Sequence, residues 1–361
     1  MVTQALEIRA NRRKRTIKQT ILKKVAIVIL NWNGKKFLEK FLPSVVANCN
    51  EYSEIIIADN DSKDDSVEFI EKEYPDIRII KHTFNHGFAK GYNDALSKIE
   101  SEYYILLNSD IEVTPNWIEP VIKLMDSDRR IATCQPKLRS YHSTEYFEYA
   151  GAAGGFIDHF GYPFCRGRIF QEIEKDEGQY DQISEIFWAT GACLFVRAEL
   201  FHRFGGFDDD FFAHMEEIDF CWRLKNAGYK IMYCPDSVVY HVGGGTLPKK
   251  SSLKTYLNFR NNLILIFKNI PSERIIYVFL TRWFLDFIAA LKFLSQGGIA
   301  DFAAVIRAQY YFLRHYKTQI KKRRKIFQVK VSGIYNHNIV IEHFIRRKKK
   351  FSDLQQSDFT H

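Results

Sequence analysis

Four polar clusters in this chain of 361 residues carry side chains able to do chemistry. His-Met-Glu-Glu-Ile-Asp (214–219) sets Glu216 beside Glu217, with Asp219 two residues on. Adjacent carboxylates at a helix start either complement the positive end of the helix dipole or supply a general base for an incoming hydroxyl. Asn108-Ser109-Asp110 closes an apolar run. A carboxylate there can hold Mg2+ or Mn2+ against a diphosphate, because hard cations share oxygen ligands between protein and phosphate; the same triplet also caps helices. His241 ends another apolar run just before Gly243-Gly244-Gly245, where an imidazole can ligate a metal, touch phosphate, or serve structure alone. In Asp59-Asn60-Asp61-Ser62, Asp59 can accept the imide N–H of uracil or thymine while Trp32 offers a stacking face; an Asp-Asn pair is also an ordinary turn.

These clusters need elements to bring them together. VAIVIL (25–30), EIIIAD (54–59), IRII (77–80) and YYILL (103–107) read as strands buried on both faces. Between them lie helical patterns: Phe37, Leu38, Phe41, Leu42, Val45 and Val46, then Val67, Ile70 and Tyr74, then 92–99. Ser62 and Asp65 have the spacing of a capping box. Strand and helix alternate four times, which predicts βαβ units on a parallel sheet. Such sheets bind ligands at the carboxyl ends of their strands, where the clusters 31–33, 59–62, 85–91 and 108–110 all fall. Residues 141–187 read as loops and short antiparallel pieces, 188–197 as the start of a strand, 217–227 as a helix closed by Gly228, and 229–234 and 237–241 as strands. Long helical segments follow.

Composition narrows the class. With 46% hydrophobic and 26% charged residues, collagen-like, coiled-coil and disordered readings are excluded. Residues 9–24, 314–325 and 346–350 hold twenty Lys/Arg and no Asp/Glu, so a net charge of +9 leaves an acidic body. That argues against a nucleic-acid groove and suits basic anchors on an anionic membrane surface, or solvated tails. The six cysteines form no zinc pattern and read as buried thiols of a cytosolic protein. VAIVIL is too short for a signal-peptide core. The most apolar stretch, 275–294, is interrupted by Arg282, Asp286 and Lys292, so a helix packed on the body or lying in the membrane interface is expected, rather than a span.

Taken in order, VAIVILNWNG (25–34), IIIADNDSKDDS (55–66), NHGFAKGYNDAL (85–96), YILLNSDIEV (104–113), TGACLFVRAELFHRFGGFDDDFF (190–212) and MEEIDFCWRLKNAGYKIMYCPDSVVYH (215–241) closely resemble family 2 glycosyltransferases, in particular their bacterial rhamnosyltransferase-like branch. RNNLILIFKN (260–269) resembles the helix that follows the catalytic part. The resemblance covers residues 25 to about 270. It implies a GT-A fold: an α/β architecture with a mixed, mostly parallel Rossmann-like sheet flanked by helices, here with a C-terminal helical extension. It also implies roles. Trp32 and Asp59 contact the base, with Asn31 and Asn60 beside them. Asn85, Gly87 and Lys90 belong to the loop over the nucleotide. Asn108 to Asp110 matches the DXD metal motif, with Asn108 in place of its first Asp, so Asp110 is the one charged ligand. His241 matches an additional metal ligand. Glu217 matches the catalytic base, one methylene longer than the usual Asp, and Glu216 its acidic neighbour. Trp188, Thr190 and Gly191 wall the sugar and acceptor region, with Asp219 near it.

The resemblance thus implies an inverting transfer of one sugar, rhamnose or a hexose, from dTDP-rhamnose or a UDP-sugar, with a divalent cation (Mg or Mn). The acceptor is a glycan or lipid-linked glycan in cell-surface polysaccharide synthesis, on the inner face of the cytoplasmic membrane. The expected layout is a basic tail (1–23), a catalytic domain (24–248), a helical subdomain that can associate with membrane (249–330), and a basic C-terminal tail (331–361). Two rivals differ. A sugar nucleotidyltransferase usually has a Gly-rich loop after the first strand, where this chain has NWNGKK. A non-catalytic sugar-nucleotide-binding protein would not need Glu217 and Asp110. Processive synthases carry QxxRW, and FLTRW (279–283) lacks the Gln.

Overall fold

In the computed structural model, residues 23–243 and 251–361 are described. The expected N-terminal tail, save its last residue, and the expected boundary at 248–249 lie outside them.

The chain opens as β1 (Val25–Asn31), α1 (Lys35–Ala47), β2 (Ser53–Asp59), α2 (Ser66–Glu73), β3 (Arg78–Lys81), α3 (Gly87–Leu96) and β4 (Tyr103–Asn108). β1 pairs in parallel with β2 and β4, and β2 with β3. Alternate side chains of the apolar runs enter two separate cores. Ala26, Val28, Ile56, Ala58 and Leu106 face one, and Ile27, Ile29, Ile57, Ile105 and Leu107 the other. This is the pattern of a sheet covered on both faces.

The other half of the sheet is mixed. It adds β5 (Ile111–Val113), α4 (Glu119–Ser127), β6 (Ile131–Ser140), β11 (Ser184–Ile186), β12 (Cys193–Arg197), α5 (Ala198–Arg203), α6 (Glu216–Asn226) and β13 (Lys230–His241). The order is β11-β13-β6-β12-β4-β1-β2-β3, with β5 on β13. β12 runs antiparallel between β4 and β6, and β13 lies parallel to β6. The two strands expected over 229–241 are one, with a register shift between Cys234 and Val238. Pro235 sits in that shift, where its missing N–H breaks no ladder bond. The anticipated capping box is absent. Asp65 is the N-cap of α2, and Ser62 Oγ instead accepts from Asn33 N at 2.9 Å and Asn31 Nδ2 at 3.1 Å.

The irregular section forms a small sheet of β7 (Gly155–Asp158), β8 (Pro163–Cys165), β9 (Arg168–Ile169) and β10 (Glu172–Ile173), closed by β14 (Ile334–Tyr335) in parallel with β7. Residues 331–361 are therefore not a tail. Ile339, Phe351 and Phe359 are buried, and Phe351 and Phe359 lie against Phe156, while most of the Arg346–Lys350 run stays exposed. Between the sheets and this closure come α7 (Ser252–Asn269), α8 (Ile275–Ser295), α9 (Ile299–Arg314) and α10 (Tyr316–Arg323), with α11 (Ile339–Phe344) after β14. No helix among the described residues is long and apolar enough to cross a membrane. The six cysteines are free thiols, all buried except Cys49, which is half-buried.

Candidate active site

The parallel register sets the first group of polar residues side by side. Asn31 stands opposite Asp59, and Leu30 opposite Asn108, so three strands end at one level. Asn31 Nδ2 donates to Asp59 Oδ2 at 3.2 Å, and Ser62 N to Asp59 Oδ1 at 3.0 Å. These bonds fix the Asp59 carboxylate at the strand end. Trp32, next along, is 42% exposed and presents a free ring.

Asn60 is used differently from expectation. It is buried, and its amide is taken up by the following loop: Nδ2 donates to Asn85 Oδ1 (2.9 Å) and Gly87 O (3.0 Å), and Oδ1 accepts from His86 N (3.0 Å). It shapes the loop, and its amide is not free for a ligand. Asn85 Oδ1 also accepts from Gly87 N at 2.8 Å. Gly87 has φ +75°, and a Cβ there would lie 2.5 Å from the Phe212 ring and 2.7 Å from Phe212 O. Glycine is required on both counts. Phe88 N donates to Phe212 O at 2.7 Å, which ties this loop to the one before α6. Lys90 is partly exposed and pairs with Asp94 at 2.8 Å.

Asp110 and His241 meet at the end of the antiparallel β5–β13 pair, where His241 faces Ile111. His241 Nε2 is 3.2 Å from Asp110 Oδ1, and Gly243 N donates to Asp110 Oδ2 at 3.2 Å. On the other side of the ring, Nδ1 is 3.4 Å from Glu148 Oε2. Sequence reasoning missed Glu148, which sits in the irregular section without a motif. All three side chains are buried. Burial alone would lower the His241 pKa, but Glu148 and Asp110 outweigh it and raise it to about 10. Burial likewise works to raise the Asp110 pKa, and His241 overcomes it and holds the carboxyl below its ordinary range. Among the described residues, no three His, Cys, Asp or Glu side chains are arranged as a ready metal cluster. One ionised carboxylate beside an imidazole fits a cation that displaces the ring proton and completes its shell with phosphate oxygens and water.

Glu216 and Glu217 open α6. Both have an Oε2 without a partner. Burial raises Glu217 to about 7, against backbone N–H groups, Gly191's among them, that favour the ionised form. Burial and then Glu217 push Glu216 well above the ordinary carboxyl range. Gly191 links this helix start to the sheet edge, since its neighbour Ala192 accepts from Asn108 N at 2.9 Å. The approach to α6 is strained: Phe212, His214 and Met215 all have φ between +63° and +74°, which costs side-chain-bearing residues of order 1–3 kcal/mol each. α7 holds it in place. Asn261 Nδ2 lies within 2.9 Å of Phe211 O, 2.8 Å of Ala213 O and 2.7 Å of His214 O, and Arg260 Nη2 donates to Asp210 O and Phe211 O. Neither residue was singled out from sequence, although the RNN run marked the helix.

Three expected wall residues turn inward. Asp219 is fully buried and bound to Arg223 Nε (2.8 Å), Lys268 Nζ (3.0 Å) and Asn269 Nδ2 (2.9 Å); its oxygens anchor α7 to α6 and are not free for an acceptor. Trp188 packs its ring where a Cβ on Gly155 would come within 2.1 Å, and its Nε1 donates to Phe156 O at 2.9 Å. Thr190 is buried, its N donating to Gln135 Oε1 at 3.0 Å. They join the two sheets, and Gly191 alone of the group stands against Glu217.

Comparison with known proteins bears on the family and the fold. The family model described as glycosyl transferase family 2 matches residues 26–204. The chain is 24% identical over 230 residues to the N-acetylglucosaminyl-diphospho-decaprenol L-rhamnosyltransferase of Mycobacterium tuberculosis, covering 60% of this chain and 75% of that protein. It is 27% identical over 223 residues to the rhamnosyltransferase WbbL of Escherichia coli K12, covering 58% and 80%. Of solved structures, GalNAc-T7 with UDP, GalNAc and Mn2+ superposes with TM-score 0.55 at 17% identity, over 70% of this chain and 49% of that one. S. aureus TarS 1–349 superposes with TM-score 0.50 at 14% identity, over 83% and 89%. These likenesses show the GT-A fold.

Proposed function

The chain belongs to the family 2 glycosyltransferases, and on that premise we propose that it moves a single sugar from a nucleoside diphosphate sugar to a glycan or lipid-linked acceptor, with inversion at the anomeric carbon. The observation that carries the reading is Glu217: a carboxyl with a pKa near 7 and an unpartnered oxygen, joined through Gly191 and Ala192 to the strand ends of Asp59 and Asn108.

Asp59 and Trp32 hold the base, the carboxylate accepting an imide N–H and the ring stacking. Asn85 and Gly87 shape the loop beside the nucleotide. Asp110 and His241 are the residues that would hold a divalent cation, Mg or Mn, which when bound neutralises the diphosphate leaving group. Glu217 accepts the proton of the acceptor hydroxyl. That oxygen bonds to the anomeric carbon from the face opposite the diphosphate, and the bond from carbon to diphosphate oxygen breaks. Burial and Glu217 push the Glu216 carboxyl well above its ordinary range, which disfavours a second negative charge beside the base. Base catalysis of this kind contributes about 10²–10⁴ in rate.

The names of the rhamnosyltransferase relatives support a rhamnosyl donor, which we take to be dTDP-rhamnose, with UDP-hexoses next, and we place the acceptor, a cell-surface glycan, at the inner face of the cytoplasmic membrane. A panel of dTDP-, UDP- and GDP-sugars titrated against the protein with Mn2+ tests the donor class. Saturable binding of one nucleotide series is expected; failure of every member to bind would end the proposal.

A further inference from the structure

α8 is amphipathic in the inverted sense. Val278, Arg282, Asp286 and Ala290 recur every four residues and are buried against the body. Arg282 Nη2 is 3.2 Å from Asp286 Oδ1, its Nη1 donates to Phe160 O at 2.9 Å, and its guanidinium lies 3.9 Å over the Tyr162 ring. The charges that interrupt this apolar stretch in the sequence therefore point inward and fasten the helix. The outward face is left apolar: Ile276, Leu280, Phe284, Phe287, Leu291 and Leu294 follow one another at three- and four-residue spacing, and all are exposed, Leu280 and Phe284 to 64%.

The apolar surface continues beyond this helix. α9 packs on α8 and exposes Ile306, Tyr310 and Leu313. Near the end of α8, Lys292 lies 5.1 Å over the ring of Phe344, which is exposed together with Ile345. A contiguous apolar surface of this kind marks an interaction site. Its margins carry cations: Arg346 to Lys350 follow Ile345 directly, exposed except for half-buried Lys348, with Arg346 and Lys348 paired to Glu342 and Lys349 to Glu172, and exposed Arg314, Lys317, Lys321, Arg324 and Lys325 follow Leu313.

We propose that this face docks on an anionic lipid bilayer, with α8 lying in the plane of the interface and its apolar stripe among the acyl chains. Charge selects the occupant. Two copies meeting through this face would bring like charges together, whereas anionic headgroups neutralise them. Amphipathic helices bind such interfaces by apolar burial together with electrostatic attraction. The proposal deepens the reading of a lipid-linked acceptor and does not depend on the donor.

Flotation of the full chain with vesicles of phosphatidylcholine plus phosphatidylglycerol, compared with phosphatidylcholine alone, tests it. We expect at least about tenfold more protein with the anionic vesicles, the excess shrinking at high salt. Leu280→Glu/Phe284→Glu/Leu291→Glu should lose about tenfold or more of that binding and still bind nucleotide in solution. Arg314→Gln/Lys317→Gln/Lys321→Gln should lose a similar factor without touching an apolar residue. The proposal is overturned by absence of flotation at low salt, by unchanged flotation of both variants, or by a native dimer in sedimentation that the triple Glu variant dissociates. Flotation intact alongside failed nucleotide binding would support docking and strike the donor reading instead.

Discussion

Glu148 Oε2 stands 3.4 Å from Nδ1 of His241, on the opposite side of the ring from Asp110. The histidine is thus bracketed by two carboxylates and carries its proton to about pH 10. Because this pKa is raised on folding, the pairing stabilises the fold fully below the ordinary histidine value of 6.5 and loses that contribution as pH rises through about 10. Glu148→Gln should lower the imidazole pKa measured by NMR. An unmoved pKa would mean that Glu148 does not govern the ring.

Glu217 links activity to stability. Its pKa is raised to about 7 by burial, so the folded state favours the protonated form. That advantage is complete below about 4.5 and is lost as pH climbs through 7. Glu217→Gln should therefore cost at least about a hundredfold in kcat while raising Tm above pH 7, and the gain in Tm should vanish in acid. The native rate should fall as pH drops through about 7. Near-normal turnover in the variant would remove Glu217 from the role of base.

Asn261 binds the carbonyls of Phe211, Ala213 and His214, around a stretch whose backbone does not favour that shape unaided. Asn261→Leu should destabilise the fold by about 1–3 kcal/mol, through carbonyls left without a donor. It should lower kcat more than it raises KM for the donor, because the loop it releases leads into Glu216 and Glu217 rather than to the base-binding residues. Thermal melts and steady-state kinetics check both parts.

Gly87→Ala adds a methyl group 2.5 Å from the Phe212 ring at a positive φ. A cost of about 1–3 kcal/mol is expected, with donor binding weakened as the loops around Gly87 and Phe212 are pushed apart. Calorimetric titration with nucleotide measures it; unchanged affinity would show that the loop does not form part of the donor site.

The parallel half of the sheet was legible because β1, β2 and β4 are uninterrupted apolar runs with polar ends, so the strand ends and Asn31, Asp59 and Asp110 could be read together. Orientation was less accessible. Asp219 and Trp188 look available in sequence, and what buries them comes from Lys268, Asn269 and Gly155, far along the chain. Glu148 had no neighbour in sequence to give it away, since its partner is on β13. Arg282 and Asp286 seemed to spoil an apolar helix because the linear order does not say which of its faces is inside. The 331–361 segment read as a basic tail because its five consecutive cations outweigh the scattered Ile, Phe and Tyr that bury.

The closure of the small sheet by β14 has a consequence for how the protein is made. Ile339 N donates to Asp158 Oδ2 across 181 residues of chain, and Phe156 waits for Phe351 and Phe359. On the ribosome the strands β1 to β4 can pair early, but the small sheet keeps a greasy flank uncovered until residues 334–359 emerge. Contacts this distant are slow to form, and during that interval the nascent polypeptide is open to chaperones and to aggregation.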